Sequence, residues 1–269
     1  MIRTERVCSI TQILCAHPNK DYSLGYFSER FGCAKSSVSE DMKVVRASME
    51  DTGLGYLETT SGSKGGVRFV PYIDNEIAYE TLRGIREELL KADRRIGKGF
   101  FYTTDIVFNP QSARNIASIF AKHFAAVDAD VVVTVESKGI GIALFTAEML
   151  NLPLVVIRRE AKITEGSTLS INYFSGSSER IQKMSLSKRA LKPGARALLI
   201  DDFMRGGGSI DGMKEMLAEF DASVAGAGVF IAAGDLTKAV RDGIYCLLHV
   251  DDDNDALDIR INVPLNVQK

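Results

Sequence analysis

The chain has 269 residues, a length that at roughly 150 residues per domain predicts about two domains with ample material for a buried core. Its composition, 45% hydrophobic and 25% charged, excludes a disordered or collagen-like chain. A net charge of −2, from 33 basic and 35 acidic residues, excludes bulk affinity for polyanions, so any nucleic-acid contact has to be a local surface. No apolar run approaches the roughly 20 residues that span a bilayer, and the opening MIRTERVCSITQ carries charges without the apolar stretch of a signal peptide. Cys8, Cys15, Cys33 and Cys246 show neither a CxxC nor a His-paired spacing and are expected to be reduced core residues of a cytoplasmic protein.

Residues 1–73 read as one domain. Arg3–Ala16 places Val7, Ile10, Ile13 and Leu14 on a helical stripe, and Leu24–Phe31 is a short helix with Leu24, Phe27 and Phe31 apolar, followed by a turn at Gly32. Ser37-Val-Ser-Glu40 has the pattern of a capping box and is expected to open a third helix whose apolar face is Val38, Met42, Val45 and Met49. Strands at 56–60 and 67–70 then flank a Gly-rich tip, and Pro71 ends the second strand. Helix, helix, turn, helix and hairpin is the order of a winged helix-turn-helix. Its recognition helix presents Lys35, Ser36, Ser37 and Ser39 at the N-terminal end and Lys43 and Arg46 further along; the wing adds Lys64 at its tip and Arg68 on its strand. Short hydroxyls and the helix dipole suit close phosphate contact, while longer cations reach backbone or base edges. Nine basic residues against eight acidic in 1–70 leave a net charge of only +1. The expectation of DNA binding therefore rests on the acidic residues falling away from the helix tip and wing; a three-helix dimerisation module is the alternative.

From residue 74 to 269 the pattern changes to alternating helices and buried strands. Helices are expected at 74–94, 112–124, 140–150 and 209–220, and a short strand is expected to include Ile106 and Val107. Apolar strands follow at Val131–Val135, Leu154–Ile157, 197–200, 229–231 and 246–250. Continuous apolar strands alternating with helices predict an α/β domain with a largely parallel sheet, whose ligands bind at the carboxyl ends of the strands.

The strongest motif runs from Ala197 through Asp201, Asp202, Phe203, Met204, Arg205, Gly206, Gly207, Gly208 and Ser209 into a helix. Two adjacent carboxylates at a strand end can accept hydrogen bonds from the vicinal diol of a ribose. The Gly-rich turn exposes consecutive backbone N–H groups, Ser209 adds a hydroxyl, and the helix dipole favours an anion, which together make a nest for a phosphate. This segment resembles the signature of type I phosphoribosyltransferases, which bind phosphoribosyl pyrophosphate (PRPP). A second loop, Glu136-Ser137-Lys138-Gly139, follows the strand Val131–Val135 and is placed to contact pyrophosphate, as the corresponding loop does in those enzymes. Residues 158–192 hold eight basic residues against three acidic, a local +5, and include Lys162 and the hydroxyl- and Gly-rich run Thr164-Glu165-Gly166-Ser167 to Tyr173, expected to be a mobile flap that closes over a ligand. The rest of the chain then holds −8, so the near-neutral total conceals two basic patches.

A winged helix followed by such a domain resembles the purine operon repressors of the PurR type found in Gram-positive bacteria. The likeness is carried by Phe27-Ser-Glu-Arg30, Ala34-Lys-Ser-Ser-Val-Ser-Glu-Asp41, Gly65-Gly-Val67, Tyr102 with Thr104-Asp-Ile106, Lys138-Gly-Ile140, Thr164-Glu-Gly-Ser-Thr168, Ser170-Ile-Asn-Tyr173, Ser175-Gly-Ser-Ser178, Met184-Ser-Leu186 and Asp201-Asp-Phe-Met204. Departures are mild: Gly206 and Ser209 stand where Ala and Thr are common, and Arg205 where Lys is usual. The resemblance implies a homodimeric repressor of purine synthesis and salvage genes, bound to double-stranded operator DNA and released by PRPP. Mg²⁺ would accompany PRPP, and guanosine tetraphosphate would be a competing occupant of the same pocket.

The residues also argue against catalysis. In 6-oxopurine phosphoribosyltransferases the third position after the Asp-Asp pair is an acid that acts on the nucleobase; here it is Arg205, which cannot take a proton at neutral pH. Phe100, Phe101 and Tyr102 are expected either to fill the nucleobase space or to belong to the core. The chain is thus expected to have no catalytic residues, the alternative being an adenine- or xanthine-type phosphoribosyltransferase with an accessory N-terminal domain. His249-Val-Asp-Asp-Asp-Asn-Asp-Ala lacks the Gly and closing Glu of a calcium loop, and no metal site is expected.

Overall fold

The computed structural model describes residues 1–60, 66–97, 99–161, 163–175, 180–253 and 256–263. Lys64 and Lys162, both expected to bind anions, lie outside the described residues. The chain divides into two compact units, Met1–Asp74 with Glu148–Asn151, and Asn75–Ala147 with Leu152–Lys269. A single cut at 73/74 does not capture the short segment Glu148–Asn151.

The first unit contains α1 (Arg3–Ala16), α2 (Leu24–Phe31), α3 (Lys35–Asp51) and the antiparallel hairpin β1 (Gly55–Thr60) and β2 (Gly66–Pro71). The expected apolar stripes meet in one core of Ile10, Leu14, Phe27, Val38, Met42, Val45, Met49, Leu57 and Val67. Ser23 caps α2 by accepting from the Tyr26 N–H at 3.1 Å. Gly32, at φ 61°, then supplies the left-handed turn that leads to α3. Tyr22 adds a third edge to the wing: its N–H donates to Val67 O at 2.9 Å and its carbonyl accepts from Val67 N–H at 2.8 Å.

Two expectations here are corrected. The third helix starts at Lys35, not at Ser37, because the Val38 N–H already donates to Ala34 O; Ser37 lies inside the first turn, no capping box forms, and Glu40 pairs with Lys43 at 2.6 Å. Cys8 and Cys15 are exposed and Cys33 is half-buried, since the inward stripe of α1 is carried by Ile10 and Leu14; of the four free thiols only Cys246 is buried.

The second unit comprises α4 (Asn75–Leu89), β3 (Arg95–Gly97), β4 (Phe100–Phe101), α5 (Thr104–Val107), α6 (Pro110–His123), β5 (Val131–Val135), α7 (Gly139–Leu150) and β6 (Leu154–Ile157). It continues with β7 (Thr168–Ser175), β8 (Arg180–Ser187), β9 (Arg196–Arg205), α8 (Gly208–Ala218), β10 (Ser223–Ala233), α9 (Thr237–Arg241), β11 (Ile244–Asp253) and β12 (Ala256–Ile261). Six strands form one sheet in the order β12-β11-β10-β9-β5-β6, parallel throughout except for β12. Every residue of β5 is buried, as a strand covered on both faces requires. One side of the core joins Val133, Leu199, Val229, Ile210, Met213 and Met216.

Local readings fail at two places, and at a third the structure adds regularity. Ile106 and Val107 belong to the short helix α5 and not to a strand; both are buried, and apolar pairs of this length carry no periodicity that separates the two states. The helix expected to reach Arg94 stops at Leu89, and Ala92–Arg94 forms a separate 3-10 turn. The expected flap is largely regular, because β7 and β8 pair from Thr168↔Ser187 to Ser175↔Arg180.

Candidate functional site

The acidic pair sits near the carboxyl end of β9, with β5 beside it through Val133↔Leu199. Asp201 is 3% exposed and Asp202 is half-buried. The Asp202 N–H donates to Asp201 Oδ1 at 2.9 Å. Burial, followed by the neighbouring Asp202 charge, pushes the Asp201 carboxyl well above the ordinary range. Burial raises Asp202 as well, opposed by the charges of Lys138 and Arg159.

Gly139 brings the second loop against this pair. A Cβ on Gly139 would stand 2.7 Å from Thr134 Oγ1, 3.2 Å from Asp201 Oδ1 and 3.4 Å from the Asp202 nitrogen, so only glycine permits the approach. Ser137, in a cis peptide with Glu136, and Lys138 precede it. Lys138 Nζ donates to Thr103 Oγ1 at 3.4 Å. The Glu136 carboxylate accepts from the Arg159 N–H at 2.6 Å and from Arg158 Nη1 at 3.2 Å, which ties the loop to the end of β6. The loop and the Asp-Asp pair, 62 residues apart between Gly139 and Asp201, thus share one site.

The glycine turn expected to bind phosphate starts later than the motif implies. Phe203, Met204 and Arg205 remain in β9, opposite Ile231, Ala232 and Ala233 of β10, and Met204 packs in the core. The turn is Gly206-Gly207, at φ 70° and 79°, and α8 begins at Gly208. The first-turn N–H groups of α8, including Gly208 and Ser209, have no partner within the helix and are available to an anion. Arg205 lies over the Phe100 ring at 4.9 Å, and the Phe100 and Phe203 rings are 5.5 Å apart. Of the aromatics expected in the nucleobase space, Phe100 joins this stack. Phe101 is buried, and Tyr102 is 46% exposed beneath the Arg94 guanidinium at 5.8 Å.

Thr164 and Glu165 lie in the 3-10 turn Ile163–Glu165, followed by Gly166 at φ 69° and Ser167. Glu165 is 3.6 Å from Arg158 Nε. Tyr173 is corrected from flap to core: it is 5% exposed, its ring packs on Gly212 of α8, and its hydroxyl donates to Gln182 Oε1 at 2.8 Å. Lys238 was missed by sequence reasoning. It crosses the glycine turn from α9, 32 residues beyond Gly206, and no local pattern announces it.

In the winged unit Lys35 and Ser36 are exposed at the N-terminus of α3, with Ser37 and Ser39 half-buried. The acids do not fall away from these cations as expected. Glu40 binds Lys43, and Glu58 takes both Nε and Nη2 of Arg68 at 2.8 and 2.6 Å across the hairpin. Arg46 donates to Leu57 O and to Thr59 Oγ1, bracing the wing on α3 instead of facing outward. Replacing Lys35 with Ala is expected to weaken duplex DNA binding and to lower the slope of log K against log salt by about 1. Arg68→Ala, whose charge is already matched by Glu58, is expected to leave that slope unchanged. Fluorescence anisotropy over a salt series measures both.

Residues 2–71 match the family described as bacterial purine repressor, N-terminal, and residues 103–262 match the phosphoribosyl transferase domain family. A Bacillus subtilis purine biosynthesis transcriptional repressor PurR is 43% identical over 91% of this chain and 86% of its own length. A Lactococcus lactis purine biosynthesis transcriptional activator PurR is 42% identical over 93% of both chains. The chain belongs to the PurR family of purine biosynthesis transcriptional regulators.

Membership explains why a phosphoribosyl transferase domain and a winged helix share one chain. This PurR-family chain also resembles an enzyme: a Streptococcus pneumoniae xanthine phosphoribosyltransferase is 31% identical over 59% of this chain and 82% of its own length. The adenine phosphoribosyltransferase structure from Rhodothermus marinus superimposes with a TM-score of 0.53 at 19% identity, covering 64% of this chain and 99% of that one, which establishes the fold of the second unit. Among the described residues no helix is long and apolar enough to cross a membrane.

Proposed function

We propose that this PurR-family regulator is a repressor of purine synthesis and salvage genes whose binding to operator DNA is relieved by PRPP held in a non-catalytic phosphoribosyltransferase pocket. The single observation that supports the reading is the closeness of Gly139 to Asp201 and Asp202, which brings the loop after β5 against the acid pair. Asp201 and Asp202 bind the 2′ and 3′ hydroxyls, Ser137, Lys138 and Gly139 bind the pyrophosphate, and Gly206 to Ser209 bind the 5′-phosphate. Mg²⁺, if it accompanies PRPP, would be brought by the ligand and would offset pyrophosphate charge beside Ser137, Lys138 and Gly139. Guanosine tetraphosphate, with its ribose and phosphates, is the natural competitor for these donors.

The winged unit supplies the DNA contact through the N-terminal turn of α3, in a homodimer and in the cytoplasmic compartment where operators reside. PRPP acts because it binds the DNA-free state better. Its negative charge and that of the DNA phosphates compete for the basic surface of residues 158–192. The Arg205–Phe100 stack supports a regulator over an enzyme, since the position of the catalytic acid holds a cation engaged with an aromatic ring.

The test is a mobility shift on purine promoter DNA with and without PRPP, run beside a pyrophosphate-release assay with adenine, guanine, hypoxanthine and xanthine. Wild-type protein is expected to bind the DNA and to release it with PRPP. Asp202→Ala is expected to bind DNA unchanged and to ignore PRPP. No binding at low salt, no response to PRPP, or turnover of any base would overturn the reading.

A further inference from the structure

The segment after β10 places Lys238 of α9 and Asp242 just beyond it against two oppositely charged residues of α8. Lys238 Nζ contacts Asp211 and Gly206 O, the latter at 3.4 Å, and Asp242 Oδ2 accepts from Lys214 Nζ at 3.0 Å. Asp211 and Lys214 are one turn apart on α8, and Lys238 and Asp242 are four residues apart at α9, so the two pairs form a matched clasp. They are not equivalent in position. Asp242 is 17% exposed and also takes Arg241 Nε at 3.0 Å, which makes its pair an anchor. The Lys238 side chain lies directly on the glycine turn: a Cβ on Gly207 would stand 2.8 Å from its Cε and 2.9 Å from its Nζ.

We propose that Lys238 is a phosphate ligand of this turn, held in reserve on Asp211 until an anion arrives. The inference rests on the pocket reading above and names a binding residue within it. A phosphate dianion at the Gly206–Ser209 nest meets an ammonium already at the turn and offers it more charge than the single Asp211 carboxylate does. Exchange of partners needs only rotation about the lysine stem, because Lys214 and Asp242 keep α9 in place. Asp211 therefore opposes binding: it is the competitor the phosphate displaces.

Isothermal titration of the full chain with ribose 5-phosphate, and separately with inorganic pyrophosphate, tests this. Lys238→Met is expected to weaken ribose 5-phosphate binding by roughly 10-fold or more, the usual scale for a charge-assisted contact, and to leave pyrophosphate binding unchanged. Asp211→Asn is expected to tighten ribose 5-phosphate binding several-fold. Equal ribose 5-phosphate affinity in wild type and Lys238→Met, an equal loss for both ligands, or weaker binding in Asp211→Asn would overturn the proposal while leaving the pocket reading standing. A wild-type protein that binds neither ligand would overturn the pocket reading and this inference with it.

Discussion

Asp201→Asn is expected to raise the melting temperature by a few degrees at neutral pH while removing the response to PRPP. The carboxyl is buried beside a second carboxylate, and both effects disfavour its charged form. Its folded-state pKa is therefore raised, and the folded protein retains a proton that the unfolded chain gives up. Stability from this group is complete below the ordinary carboxylate value of about 3.9 and drains away as pH rises through the raised value. Asparagine keeps the neutral shape, and its oxygen can still accept from the Asp202 N–H. The gap in melting temperature between variant and wild type should thus widen with pH and close toward about pH 4. Calorimetry at both ends of that range measures it, and a gap independent of pH would contradict the argument. The ribose hydroxyl of bound PRPP favours the ionised carboxylate, and the variant forfeits that acceptor, worth about 1.5–3 kcal/mol for the one hydroxyl Asp201 holds. The expected loss of affinity is on the order of 10- to 100-fold.

Gly139→Ala is expected to lose PRPP as completely but to lower stability. The added methyl would stand 2.7 Å from Thr134 Oγ1 and 3.2 Å from Asp201 Oδ1, and neither neighbour has room to withdraw: Thr134 is fully buried and Asp201 nearly so. Overpacking of this kind costs about 1–3 kcal/mol. It also separates the pyrophosphate loop from the acid pair, and a ligand that bridges the two loses both sets of contacts. Thr134 offers an internal check. Its buried hydroxyl has no hydrogen-bond partner among the described residues, so Thr134→Ala alone should cost little. Combined with Gly139→Ala it opens the space the methyl needs and should recover part of both stability and affinity. A double-mutant cycle on melting temperature and PRPP titration gives the coupling; strict additivity would show that the two residues do not share the contact.

Much of the site was legible in local patterns. The helices Arg3–Ala16 and Leu24–Phe31 and the strands Val131–Val135 and Leu154–Ile157 carry their periodicity and their stop signals within a few residues. The Asp201-Asp202 pair and the glycines after it announce themselves because they stand contiguous in the chain at a strand end. What failed has a common cause. Tyr173 reads as a flap residue among hydroxyls and glycines, yet it is drawn into the core because Gly212, 39 positions later, leaves a ring-sized space on α8. Arg46 and Arg68 read as DNA ligands on a helix and a strand, but folding the hairpin onto α3 presents them with Leu57, Thr59 and Glu58.

The net charge of −2 shows the same division. Composition established that any polyanion contact must be local, and motif spacing marked the Asp201-Asp202 pair, the Glu136–Gly139 loop and the glycine turn as candidates for one anion site. Which cations are available to an anion was decided by packing in three dimensions. Lys43, Arg68 and Lys238 each stand beside a carboxylate, and Lys138 stands beside the acid pair. Counting residues along the chain gives their number, but Coulomb energy depends on distance through space, and only folding sets those distances.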